Sequence, residues 1–144
     1  MKNQELMDWA TCEREFVRKV EVDSERIKSI MKKAIQRLKR AQTTKPTPET
    51  TSFIVEDYYE VIKEILVAYM LKHGLRSKNH QCLISYFYMK NPELETEANI
   101  IAQMSYFRNR LDYYGEDVPT GFYTKNREEF NKIINKLIKL MENK

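Results

Sequence analysis

The chain has 144 residues and a mass of 17.3 kDa, with 42% hydrophobic and 32% charged side chains but only three Gly and four Pro. That length makes one domain the default and supports a hydrophobic core without disulfides or metal. So few chain breakers exclude collagen-like, low-complexity and turn-rich all-β architectures. Twenty-five Lys and Arg against 21 Asp and Glu give a net charge of +4. This mild basicity permits nucleic-acid contact without requiring it.

Apolar periodicity predicts six helices. The first runs over about 4–20, with Leu6, Trp9, Phe16 and Val20 at helical spacing. Asp23 then reads as the N-cap of a second helix over 24–42, whose stripe includes Ile27, Met31, Ala34 and Leu38. A polar loop at 43–48 contains Pro46 and Pro48. The third helix, 49–73, is apolar around much of its circumference and is expected at the centre of a bundle. Gly74 is its natural stop.

A shorter fourth helix is predicted over 79–89. Asn91 and Pro92 open a fifth, Asn as cap and Pro in the first turn, running to about 113 with Gly115 as stop. A long connection over 115–126 precedes the last helix, 127–141, whose stripe includes Phe130, Ile133, Ile134 and Leu137. No alternating segment predicts a strand. The fold class is all-α, an antiparallel bundle of five to six helices in a single domain, with 1–22 as an N-terminal helix and 23–144 as its core.

No run of 18 apolar residues occurs, so no membrane span is expected. Met1–Glu5 lead into a charged helix rather than an apolar signal core, which makes the expected location cytoplasmic. Cys12 and Cys82 lack CxxC or Cys/His ligand spacing and are expected as two buried, reduced thiols. No P-loop, HExxH, nucleophile elbow or paired-carboxylate metal site occurs, so neither cofactor nor metal is expected. Glu56, Asp57 and Glu60 are clustered acids without other metal-ligand features.

The strongest local signal is Arg108-Asn109-Arg110-Leu111-Asp112-Tyr113-Tyr114-Gly115. At 100° per residue, Ile101 and Met104 fall within about 40° of Arg108, so its guanidinium lies toward the inner or interface side of the helix. There it needs a carboxylate, a phosphate or a partner surface. Asp112, four residues on, offers an ion pair. A second signal is the basic run Arg26, Lys28, Lys32, Lys33, Arg37, Lys39, Arg40 and Lys45, with no acid among them. It reads either as a solvated face balanced by acidic neighbours or as a footprint for RNA or an acidic partner.

Residues 23–41, the segment Phe53-Ile54-Val55-Glu56-Asp57-Tyr58-Tyr59-Glu60, the segment Asn79-His80-Gln81-Cys82-Leu83-Ile84 and the Arg108–Gly115 motif together resemble a HEPN domain. This prokaryotic all-α family is often encoded beside a minimal nucleotidyltransferase. The resemblance implies a bundle that forms a homodimer. In active members it also implies a metal-independent ribonuclease site built from an Arg, a following polar residue and a His. Arg108 and Asn109 match the first two. The His positions hold Tyr113, Tyr114 and Gly115 instead, and starting from Arg110 gives Gly115, Glu116 and Asp117.

A tyrosine, with a pKa near 10, donates hydrogen bonds at neutral pH but is a poor base. The expected function is therefore a non-catalytic or weakly active HEPN-like component of a toxin–antitoxin or stress-response module. It would bind RNA or a nucleotidyltransferase partner through Arg108, Asn109 and Tyr113. One alternative is a metal-independent endoribonuclease in which Tyr113 or His80 assists Arg108. The other is a helical scaffold without a ligand, where Arg108 only pairs with Asp112.

Overall fold

The structure, a computed structural model, describes residues 6–143. The start of the predicted first helix and the Met1–Glu5 reading lie outside the described residues. Among these residues the chain forms α1 (Trp9–Glu15), β1 (Val17–Lys19), α2 (Ser24–Thr43), α3 (Thr51–Lys72), β2 (Leu75–Ser77), α4 (His80–Lys90), α5 (Glu95–Tyr114) and α6 (Thr120–Glu142). The all-α expectation holds apart from one two-stranded ribbon. No helix among the described residues is long and apolar enough to cross a membrane.

Helix α3 is central because its apolar residues cover most of its circumference. Ile54, Val55, Tyr59, Ile62, Ile65 and Leu66 are all buried, and α2, α4, α5 and α6 pack around it. The stripe of α6 closes the core with Phe130, Ile133, Ile134 and Leu137. Buried tyrosines keep a partner for their hydroxyls: Tyr58 accepts from Asn131 at 3.2 Å, and the Tyr86 hydroxyl lies 2.9 Å from His73 Nδ1. Packing aromatics that reach a polar group is the arrangement this chemistry favours.

Local signals fix several boundaries as expected. The Asp23 carboxylate accepts from the Arg26 amide at 3.1 Å and starts α2. Gly74 and Gly115 follow α3 and α5 in left-handed conformations, φ 73° and 65°.

Four expectations are corrected. First, the N-terminal segment is not one long helix: α1 ends at Glu15, and β1 pairs antiparallel with β2, Arg18 facing Arg76. The β-branched Val17 and Val20 are weak helix formers, and the free edge of β2 supplies backbone partners. Val20 extends the ladder by donating to the Gly74 carbonyl at 2.9 Å.

Second, Cys12 and Cys82 are buried but joined as a disulfide, with Cα atoms 5.6 Å apart. The bridge ties α1 to α4, beside a Trp9–Tyr86 contact at 5.2 Å. Third, Asn91 does not cap α5. Its carboxamide donates back to the Phe87 carbonyl and the Tyr69 hydroxyl, and Pro92–Leu94 form a 3-10 turn before α5. Fourth, the connection after α5 is short, because α6 begins at Thr120. Phe122 is drawn into the core between Phe107 and Phe130, at 4.8 and 5.7 Å, so its turn becomes helical.

Candidate functional site

Arg108 lies on the side of α5 that faces α3, as its phase with buried Ile101 and Met104 requires. Its side chain is 19% exposed. Nη2 lies 3.2 Å from Glu60 Oε1, and Nε lies 3.1 Å from Asp112 Oδ2. These are ion pairs by distance but not well-directed hydrogen bonds, so Glu60 Oε1 and Arg108 Nε are buried without a hydrogen-bond partner. Arg108 Nη1 also donates to Asn109 Oδ1, at a long 3.4 Å. The Asp112 partner follows from helical spacing. The Glu60 partner exists only because α3 lies alongside.

Further titratable groups converge here. Lys63 Nζ is 2.6 Å from Glu60 Oε2. Glu56, one turn before Glu60, approaches Asp112. Burial, then the neighbouring Asp112 carboxyl, pushes the Glu56 carboxyl up to about 7, against the pull of Arg108. At neutral pH a proton is therefore held on this pair part of the time. His80, at the first turn of α4, lies in the same field. Burial, then Lys63 and Arg108, lower its pKa and so favour the neutral imidazole. Gln81 reaches across to Ser105 on α5 at 3.2 Å.

The site is thus built from α3, the start of α4 and α5. Its two cations, Arg108 and Lys63, face the carboxylates of Glu60 and Asp112 together with the part-protonated Glu56. No surplus positive charge is left to receive a phosphate. No group of His, Cys, Asp and Glu among the described residues is arranged to hold a metal.

The three residues singled out by the sequence are only partly brought together. Arg108 and Asn109 touch. Tyr113 lies five residues on, about 140° around the helix from Arg108, and is 73% exposed. Seven residues before it, Tyr106 shares its face and is 45% exposed, with Asn109 between them. Tyr114 is also exposed and stacks on the Arg110 guanidinium at 4.3 Å. Arg110 in turn pairs with Glu116.

The basic run of α2 divides in two. Arg37 pairs with Glu64 at 2.7 Å and Arg40 with Asp57 at 2.6 Å, so at these positions the run is a balanced face. Lys28 lies 3.6 Å from Glu25. Arg26, Lys32 and Lys39 make no ion pair among the described residues. The spacing of Glu56, Glu60 and Glu64 on one side of α3 could have signalled that these acids answer basic neighbours. The gathering of His80 with Arg108 has no local sequence signal. Comparison of the chain with protein-family models, with curated proteins and with solved structures finds no match.

Proposed function

We propose that the chain is a HEPN-like helical domain acting as a non-catalytic binding component, whose α5 surface docks a protein. The first partner is a second copy of the chain, giving a homodimer. A minimal nucleotidyltransferase is the further partner that the HEPN resemblance implies, in a cytoplasmic toxin–antitoxin or stress-response module.

The observation that carries this reading is the outward stripe Tyr106, Asn109 and Tyr113, on the face of α5 turned away from a neutralised Arg108. Exposed tyrosines at i and i+7, with a polar residue between, match the aromatic-rich chemistry of protein interfaces. An Arg already held by two carboxylates favours a protein surface over a nucleic-acid phosphate at this position.

The test is sedimentation of the purified chain at micromolar concentration, alone and as Tyr106→Ala/Tyr113→Ala. A wild-type dimer that becomes monomeric in the double variant supports the reading. A wild-type monomer that also fails to bind a co-encoded nucleotidyltransferase removes it.

A second reading, a metal-independent endoribonuclease, is favoured by the position of His80, which lies in the field of Arg108 with its pKa lowered by burial and by Lys63 and Arg108. A neutral imidazole is a competent base for a 2′-hydroxyl, which Tyr113 is not. It requires RNA cleavage that persists in EDTA and disappears in both His80→Ala and Arg108→Ala. Absence of wild-type cleavage eliminates it.

A further inference from the structure

The β1–β2 ribbon collects cations that no carboxylate pairs with among the described residues. Arg18 and Arg76 are direct cross-strand partners, and like charges directly opposite one another repel. Neither makes an ion pair or side-chain hydrogen bond among the described residues, and the same holds for Lys78 and Arg26. Of the other arginines, Arg14, Arg37, Arg40, Arg108 and Arg110 each have a carboxylate, and Arg127 on α6 is without one among the described residues. The ribbon thus gathers unpaired cations, two of them directly opposite each other.

The cations surround cavities. One, of about 350 Å³, is bordered by Phe16, Arg18, Arg76, Ser77, Lys78 and Asn79. A second, of about 190 Å³, shares Arg76, Ser77 and Lys78 and adds Arg26 from α2. Positive charge thus continues from β1 across β2 to the start of α2. Phe16, which lines the larger cavity, is 42% exposed. The single acid on this rim, Glu15, is 3.7 Å from Arg14.

We propose that this ribbon is a binding site for the phosphate backbone of a single-stranded nucleic acid, separate from the α5 surface. A ligand with repeated charges matches a row of cations, whereas a lone phosphate engages only one or two. Guanidinium forks suit phosphate oxygens. The exposed Phe16 ring offers a face for a base next to the cations, the pairing of stacking and charge used by sequence-tolerant single-strand binders. An acidic peptide would use the same cations but gains nothing from a stacking face. A bound backbone also relieves the Arg18–Arg76 repulsion.

The test is fluorescence polarisation with labelled single-stranded RNA and DNA dodecamers at about 50 and about 200 mM salt. The variants are Arg18→Ala/Arg76→Ala, Arg26→Ala, Phe16→Ala and a control, Lys125→Ala/Lys139→Ala, on α6. Unlabelled duplex, inorganic polyphosphate and polyglutamate serve as competitors.

The ribbon double variant is expected to lose about tenfold or more in affinity. The slope of log K against log salt should fall by roughly 1.4, the value for two lost single-strand phosphate contacts. Phe16→Ala should weaken binding without changing that slope, and the α6 control should bind as wild type. Arg26→Ala keeps the test decisive if the ribbon variant misfolds, because this exposed side chain lies outside the ribbon. It should lower both affinity and slope.

No wild-type binding at the lower salt overturns the proposal, as does binding as tight as wild type by both the Arg26 and the ribbon variants. Polyphosphate competing as well as the strand, with no effect of Phe16→Ala, reassigns the site to bare phosphate chains. Polyglutamate competing better than either reassigns it to an acidic protein. Dimerisation through α5 is read separately, so failure of either proposal leaves the other standing.

Discussion

Reduction of the Cys12–Cys82 bridge is expected to cost a large part of the stability of this fold. The two cysteines are 70 positions apart, so the bridge closes a long loop in the unfolded chain. In the chain-entropy description, that closure restricts the unfolded state by about 4 kcal/mol at 25 °C. Both sulfurs are fully buried against α4, where reduced thiols would still pack, so the native contacts of α1 change little and most of the effect falls on the unfolded state. A loss of that size is a large fraction of the ~5–15 kcal/mol typical of a domain. It corresponds to a fall in melting temperature on the order of 10–20 °C.

The assay is urea and thermal unfolding of the oxidised protein with and without a phosphine reductant, beside Cys12→Ala/Cys82→Ala. Alkylation under denaturing conditions, read by mass spectrometry, counts free thiols. Oxidised protein should show none, and the double variant should ignore reductant and melt near the reduced wild type. Two free thiols in protein purified without reductant, or identical midpoints in the two redox states, would refute the reasoning. A reducing compartment would hold the pair as thiols, and the fold would then have the lower stability.

Three other outcomes follow from the structure. Arg108→Ala should destabilise by about 1–3 kcal/mol in urea titrations, because Glu60 is left buried beside Lys63 alone; an unchanged midpoint contradicts the packing described. Glu56→Gln tests the carboxyl pair: a folded pKa raised from 4.5 to about 7 means that the native state holds its proton more tightly than the unfolded state, so this group favours folding most below pH 4.5 and loses stability as pH rises to about 7. After allowance for solvent screening, the Gln variant should gain roughly 1–2 kcal/mol at pH 8 and nothing at pH 4; equal stability to wild type at pH 8 shows that no strained carboxyl exists. Gly74→Ala should cost more than Gly115→Ala in thermal melts: both have positive φ, at about 1 kcal/mol each, but only at Gly74 does a Cβ meet a backbone atom, the Val20 carbonyl oxygen at 3.3 Å. Equal losses would mean that the β1–β2 ladder yields at no cost.

Much of the helical framework was legible in the sequence, because its causes are local. Asp23 caps α2 three residues from the amide it accepts, and Gly74 and Gly115 stop helices through their own backbone freedom. The fully apolar α3 had to lie in the middle. The inward side of Arg108 and its pairing with Asp112 follow from 100° steps along one helix. What failed had distant causes. The segment after Phe16 becomes a strand because β2, nearly sixty residues on, offers an edge. Thr120–Asn126 become helical because Phe122 fits between Phe107 and Phe130.

The candidate sites divide along the same line. Sequence spacing could nominate Arg108 and place Tyr113 near it along the chain, but only the packing of α3 against α5 assigns Glu60 to the guanidinium and leaves Tyr113 on the outer face. Only the chain's return past α3 places His80 in that field, closes Cys12 onto Cys82 and sets Arg18 opposite Arg76. Helical phase and capping depend on residues three to seven apart, so the sequence by itself determined them. Charge pairing, disulfide closure and left-over positive charge depend on which distant elements become neighbours, and only the tertiary structure decided those.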